Sequence, residues 1–417
     1  MRRLNSRRVL EYAWSTLAFT ASDVMSTTGL TRSTAIGVCD ELVGSGWLDE
    51  LADARAVGDY SKGRPARRYI LRAAAAVVIG VDAGYGSMTA AVADLRGRVL
   101  GRAEAVIPAR SPYGVGRTLD ADARRALARR VVDEALTLAG VSADSVLALT
   151  VGVPAPVDSS GASPAFDTGF WQLMNPGLLQ LFTGSAPLVT VENDANLAAI
   201  AERSASDGLG REVDSFIAIL ADEGIGAGLM IDRRLIRGRR GGAGEMRALD
   251  HIIGVGSSDG LALCARRWAT EAIQSGDLPA HSILNSLNPG TLHEVDVARA
   301  SDDGDPAAAE ILDRLAARLA KISLVLGDLL DVDRIIVAGS IVNTLPAVIR
   351  RAGVLLARSE DPAAPELFAS ALGADAVGTG AVEHALALVR ERVFDLRPVG
   401  RVVGPDARNA AHRAEHP

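Results

Sequence analysis

The sequence predicts an α/β protein in which a small helical head precedes a larger two-lobed body. Three observations carry that expectation. The first 47 residues hold three short helical patterns, residues from 75 onward change to apolar strands opened by glycine turns, and the strand-and-glycine plan recurs in the second half. At 417 residues the chain exceeds one ordinary core, so two or three domains are expected.

The head is read first. Ser6–Leu17 places Val9, Leu10, Trp14 and Leu17 at helical spacing, which predicts one buried face. Thr20 or Ser22 caps a second helix through Val24 and Met25, and Gly29 ends it. Thr31 caps a third helix, Arg32–Gly44, with Ala35, Val38 and Leu42 facing inward. The turn Thr28-Gly29-Leu30-Thr31 is as short as a helix-turn-helix requires. Thr31, Arg32, Ser33 and Thr34 remain at the exposed start of the third helix. They are small polar groups and one cation, suited to phosphates and base edges in a major groove. Trp47-Leu48 and Tyr69-Ile70-Leu71 then form a two-stranded wing. The loop entering its return strand carries Lys62, Arg64, Arg67 and Arg68, stiffened by Pro65. The competing reading is a solvated helical domain with an Arg-rich loop. The succession of cap, turn, polar face and basic wing favours a reader of double-stranded DNA spanning residues 1–73.

In the body, Ala76–Asp82, the turn Gly84-Tyr85-Gly86, Met88–Asp94, Gly97 and Val99–Val106 describe a strand meander. Phe216–Leu220, the glycine loop Gly224-Ile225-Gly226-Ala227-Gly228, Leu229–Ile231 and Leu235-Ile236 repeat it. Glycine-rich turns let backbone N–H groups approach phosphate oxygens; two at equivalent places point to a duplicated fold with a cleft between the halves. The helix Ala121–Ala139, strand Val146–Val153, helix Ala195–Ser204, helix Pro306–Leu330 and strand Arg334–Ala338 complete an α/β alternation, with sites expected at strand ends. The first lobe is expected over 74–192, completed by a C-terminal helix at 378–395, and the second over 193–377. The Pro-, Arg- and Ala-rich stretch 396–417 reads as a disordered tail.

Composition excludes several classes. Hydrophobic residues make up 48% and charged residues 23%, as in a soluble globular chain, and no run approaches a bilayer span. No apolar signal core follows the basic stretch Met1–Arg8, so a cytoplasmic address is expected. Cys39 and Cys264 alone support neither a disulfide framework nor a thiolate zinc site. The net charge is −7, yet residues 1–72 hold 11 Arg/Lys against 8 Asp/Glu, an excess of three that leaves −10 on the remainder. A basic head on an acidic body suits a phosphate-binding module joined to a small-molecule module.

Five motifs carry a resemblance that covers residue 5 to about 395: Gly152-Val153-Pro154-Ala155-Pro156-Val157-Asp158, Glu192-Asn193-Asp194-Ala195-Asn196, Gly224–Gly228, Gly241-Gly242-Ala243-Gly244-Glu245 and Asp333–Gly339. On these the chain resembles the ROK family of repressors, open reading frames and sugar kinases. Their fold is actin/hexokinase-like, a duplicated ribonuclease H-like design. The fused winged helix-turn-helix is most similar to the repressor branch. The resemblance implies that Asp194 matches the kinases' general base, that Asn193 matches the residue holding the sugar, and that Glu245 matches a carboxylate accepting sugar hydroxyls. Asp194 alternatively reads as an N-cap for the helix that follows it.

The phosphate side departs from the family. Kinase members carry Asp-x-Gly-Gly-Thr where this chain reads Asp82-Ala83-Gly84-Tyr85-Gly86, and Gly-Thr where it reads Asp222-Glu223. Gly84, Gly86, Gly224 and Gly226 are therefore expected to form degenerate phosphate loops, with two carboxylates opposing an ATP triphosphate. The family's Gly-His and cysteine cluster are also absent, so neither zinc nor ATP is expected; His251 is a candidate replacement for the sugar contact. The candidate effector is a sugar or sugar derivative, with a vestigial pocket that takes none as the other reading. The stripe Ile311, Leu315, Leu319, Ile322 and Leu326 reads as core, or in part as a subunit interface, since a two-fold symmetric operator calls for a homodimer or homotetramer. The expected function is a transcriptional regulator, a repressor by resemblance. The alternative is an active ATP-dependent sugar kinase with an accessory head.

Overall fold

The computed structural model describes residues 2–51, 66–107, 119–165, 169–362 and 364–398. Lys62, Arg64 and all but the first residues of the 396–417 stretch lie outside the described residues.

The head comprises α1 (Arg2–Ser15), β1 (Phe19–Thr20), α2 (Ala21–Thr28), α3 (Arg32–Gly44), β2 (Leu48–Leu51) and β3 (Arg68–Leu71), its strands in the order β1-β3-β2. Thr20 and Asp23 cap α2 reciprocally: the Thr20 hydroxyl accepts from Asp23 N–H at 3.3 Å, and the Asp23 carboxylate from Thr20 N–H at 2.7 Å. Gly29 closes α2 at φ 71°, in the left-handed region that frees the next residues to turn into α3. Two expectations are corrected. Helix α1 ends at Ser15, leaving Leu17 78% exposed, because the chain must reverse there so that Phe19 can enter the core from β1. Thr31 stands at the N-cap of α3, but its hydroxyl pairs with those of Ser33 (3.3 Å) and Thr34 (2.9 Å) in place of a backbone N–H.

The first lobe holds β4 (Val77–Asp82), β5 (Ser87–Asp94), β6 (Val99–Val106), α4 (Ala121–Ala139), β7 (Val146–Val153), α5 (Phe170–Met174), α6 (Leu178–Phe182) and β8 (Leu188–Asn193). The chain then runs through α7 (Asp194–Ser204), β9 (Phe216–Leu220), β10 (Gly226–Ile231), β11 (Arg234–Ile236), α8 (Leu261–Ser275), α9 (Glu294–Asp302) and α10 (Pro306–Leu330). It closes with β12 (Arg334–Ala338), α11 (Ile341–Thr344), α12 (Pro346–Ala357), β13 (Glu366–Ala369) and α13 (Ala376–Glu391). The two five-stranded sheets have matching orders, β6-β5-β4-β7-β8 and β11-β10-β9-β12-β13, each with an antiparallel meander beside parallel strands. Gly226 and Gly228, expected in a loop, lie inside β10. Gly226 already pairs with Leu220, and a Cβ on Gly228 would meet the Ala195 carbonyl at 2.1 Å, so that glycine lets α7 lie directly on the strand. The α10 stripe from Ile311 to Leu326 is buried in the second lobe's own core.

Helix α13 leaves the second sheet and packs on β4 and β7 of the first, crossing α7 on the way. Its residues Val382, Ala385, Leu386 and Val389 share one buried cluster with Val9, Leu10, Trp47 and Leu48 of the head. The boundary expected after residue 73 therefore falls within a continuous core. Polar contacts reinforce this joint. Trp14 Nε1 donates to Leu95 O at 3.0 Å, and the Arg96 guanidinium covers the carbonyls of Thr16 (2.9 Å), Ala13 and Trp14 (both 3.4 Å) at the end of α1.

Candidate functional site

The cleft is assembled where β8 passes into α7. Asn193 caps the helix: its Oδ1 accepts from Asn196 N–H at 3.0 Å, while its Nδ2 donates to Ala155 O at 3.2 Å. This corrects the reading of Asp194 as the cap, which Asn193 is better placed to provide because it still has extended backbone. Asp194 opens the helix instead, its carboxylate accepting from Ala195 N–H at 2.7 Å. Asn193 is buried and its amide is engaged at both ends, so its contribution to the cleft is chiefly to orient α7.

Three further carboxyls bear on Asp194. Burial raises the Asp194 carboxyl well above the usual range; the Ala195 N–H opposes this, while Asp82, Glu245 and Asp222 add to it. Burial likewise lifts Glu245 to about 7 against the pull of Arg247, Asp82 to about 7 against Arg102, and Asp222 to about 6 against its bond from Ser340 Oγ. Glu245 follows Gly244, whose φ of 90° lets its carbonyl accept from Ala227 N–H at 3.0 Å and seats Glu245 beside Gly226. Carboxyls whose pKa values are raised in this way hold protons more readily than free ones and can donate as well as accept hydrogen bonds, which suits a neutral hydroxyl-rich ligand better than an anion.

On the phosphate side, the loop Ala83–Gly86 is held from behind by Arg124, wholly buried on α4, which donates to Ala83 O (2.8 Å) and Gly84 O (3.3 Å). The Tyr85 ring lies 5.9 Å from that of Phe170. Gly224 begins the opposite turn, its neighbour Ile225 bonded to Ser258 O at 2.9 Å. The expectation of two opposing carboxylates there is corrected to one. Glu223 is bidentate on Arg266 at 2.7 and 2.9 Å, and Arg266 also binds Glu294, so the Glu223 carboxylate is tied into an ion-pair cluster. Asp222 remains among the cleft carboxyls. His251 ends a 3-10 turn over Arg247–His251 and is exposed. In the neighbouring segment, Arg318 on α10 donates to Val255 O (3.0 Å) and Ser257 O (2.5 Å), and Arg267 pairs with Asp259 at 2.5 Å.

In the head, Thr31, Arg32 and Ser33 are exposed and Thr34 is half-buried, all in the first turn of α3; Arg68 is exposed on β3. Arg67 is a correction: it is bound to Glu50 (2.6 and 2.5 Å) and to Asp40 (2.7 Å), with its guanidinium over the Tyr69 ring. Those carboxylates satisfy its charge, so it braces the wing against α3. Arg124, Arg237 and Arg318 escaped notice in the sequence because a lone arginine carries no pattern until its distant carbonyl or carboxylate is known.

The ROK family model matches residues 78–388. The chain belongs to the ROK family. In structure it is similar to a ROK family transcriptional regulator, a homologue of the E. coli MLC protein, with a TM-score of 0.72, 22% identity, and 95% of this chain and 99% of that one covered. A ROK family glucokinase from Streptomyces griseus, solved with glucose and AMPPNP, aligns at a TM-score of 0.58 and 25% identity over 74% of this chain and 99% of its own. In sequence, the N-acetylmannosamine kinase of Yersinia pestis (strain Pestoides F) is 30% identical over 151 residues, 36% of this chain and 48% of the kinase. The chain spans about half the length of the curated relatives it matches. Among the described residues, no helix is long and apolar enough to cross a membrane.

Proposed function

We propose that this ROK protein is a DNA-binding transcriptional regulator, acting as a repressor, whose kinase-like cleft senses a neutral sugar or sugar derivative and does not turn over ATP. The observation that carries the reading is the first turn of α3. Thr31, Arg32 and Ser33 are exposed on a helix otherwise fixed by a buried face, the geometry of a helix entering a major groove. The regulator fold aligns over 95% of the chain, whereas the glucokinase fold aligns over 74%. Two heads on a homo-oligomer would read a two-fold site. Ligand-driven lobe closure would move α13, which is packed between the cleft helix α7 and the head, and so alter operator affinity.

The phosphate side of the cleft supports this reading. Tyr85 and Asp222 stand where kinase members carry glycines and oppose the approach of a triphosphate, and positioning and charge neutralisation supply most of the rate in phosphoryl transfer. The test pairs two assays on the full chain. Arg32→Ala should weaken binding to operator DNA without lowering the melting temperature, whereas Arg67→Ala should lower the melting temperature as well. A coupled ADP assay over hexoses and amino sugars should stay silent. ADP release abolished by Asp194→Asn would replace this reading with that of a sugar kinase.

A further inference from the structure

The segment after β11 crosses from the second lobe to the first and is fastened there twice. Arg237 Nε donates to Glu192 Oε2 at 2.6 Å, joining the edge strand of one sheet to that of the other. Four residues on, Gly241, at φ 71°, lies so close to Val157 that a Cβ would meet the Val157 carbonyl at 1.8 Å. The segment then returns to β10 through Gly244 and presents Glu245 to the cleft. The Glu192 side chain is 6% exposed and that of Arg237 45%. The second carboxylate oxygen of Glu192 accepts from Asn193 N–H (3.0 Å) and Asn196 Nδ2 (2.9 Å), the two residues that flank Asp194 and Ala195. One guanidinium thus steadies the carboxylate that organises the first turn of α7.

We propose that Arg237 is a positioning residue of the cleft: from the second lobe it holds Glu192 of the first, and through Glu192 it sets the turn that presents Asp194 to a ligand. Arg237 need not touch the ligand; it couples lobe closure to the geometry of α7. The inference rests on reading the cleft as a ligand site, but its physical content is measurable without ligand or DNA.

The experiment is hydrogen–deuterium exchange on the full chain, comparing wild type with Arg237→Ala, Arg237→Lys, Glu192→Gln and the double variant Arg237→Ala/Glu192→Gln. Arg233→Ala is the control; it breaks an exposed pair to Asp214 (2.9 Å) on the same hairpin. Arg237→Ala should speed exchange in peptides covering 194–198 by ~10-fold, a local opening in the range of sub-global fluctuations. Arg237→Lys should recover part of the protection, and the double variant should exchange no faster than the worse single one, since both members act through one contact. Arg233→Ala should leave those peptides unchanged. Equal exchange in 194–198 for wild type, Arg237→Ala and Glu192→Gln would overturn the proposal, as would additive effects in the double variant. The Arg237–Glu192 contact is read by exchange and not by DNA binding, so its failure leaves the Arg32 test of the head intact.

Discussion

Replacing Gly380 by alanine tests the joint between cleft and head. A Cβ at this position would lie 1.9 Å from Leu197 O, 2.5 Å from its carbonyl carbon and 3.0 Å from its Cα. All three are backbone atoms of α7, so no rotamer change relieves the clash, and α13 and α7 must separate. Forcing a methyl into a packed contact of this kind costs about 1–3 kcal/mol or more, against a gain of about 1 kcal/mol from exchanging glycine for alanine in a helix. Gly378, on the same helix, is the matched control, because its Cβ would meet Thr89 Oγ1 at 3.8 Å, an ordinary contact. Gly378→Ala should therefore raise the melting temperature slightly and Gly380→Ala lower it. The helix gain is common to both, so the two should differ by the clash alone, roughly 2–12 °C at about 2–4 °C per kcal/mol for a domain of this size. Calorimetric scans at one fixed rate read the difference. Equal melting temperatures for the two variants would refute the close crossing of α7 and α13.

Three further outcomes are expected. Burial raises the Glu245 carboxyl from 4.5 to about 7, so its contribution to stability is full below pH 4.5 and is lost as pH rises through about 7. Glu245→Gln should thus reduce the loss of stability between pH 5 and 8 by on the order of 1–3 kcal/mol, seen as a flatter fall in melting temperature, and an unchanged slope would contradict the burial assigned to it. Arg96→Ala removes the guanidinium over the Ala13, Trp14 and Thr16 carbonyls and should destabilise the head by ~1–3 kcal/mol. Faster exchange confined to α1 and its neighbours would show it; unchanged exchange there would deny the joint its polar half. Chelation should leave the melting temperature unchanged, because arginine–carbonyl and arginine–carboxylate contacts hold the 254–260 segment. About one zinc per chain by elemental analysis would show a metal site that these contacts do not explain.

Much of the fold was legible because local signals agreed with the global pattern. The helices Ala121–Ala139 and Pro306–Leu330 matched their expected limits: Asp120 and Asp305 cap them, Gly140 and Asp331 end them in left-handed conformations, and their apolar stripes are long. Strands β7 and β12 also matched, as short, nearly continuous buried runs. Where the reading missed, tertiary demands outweighed local ones. Leu17 fitted the helical period of α1, but the core needed Phe19 from a two-residue strand too short to show periodicity. In the cleft, the motifs pointed to Asn193, Asp194 and Glu245, whereas the anchor of the Asn193 amide on Ala155, the Arg237–Glu192 bridge and the partner of Glu223 depend on contacts 38, 45 and 43 residues apart in the chain. Lone charges such as Arg237 and Arg266 leave no trace in a single sequence until the fold brings their partners to them.

The most direct measurement is selection of duplex DNA from a random pool by the full-length protein, followed by titration of the enriched sequence at 50 and 200 mM salt. A DNA reader built on α3 should enrich a two-fold related site and lose affinity steeply with salt, by ~10³-fold or more if six or more phosphates are contacted. Arg68→Ala should shallow that dependence, and Arg32→Ala should relax the enriched sequence. No enrichment, together with affinity that ignores both substitutions, would contradict the assignment of the head as the DNA-binding element.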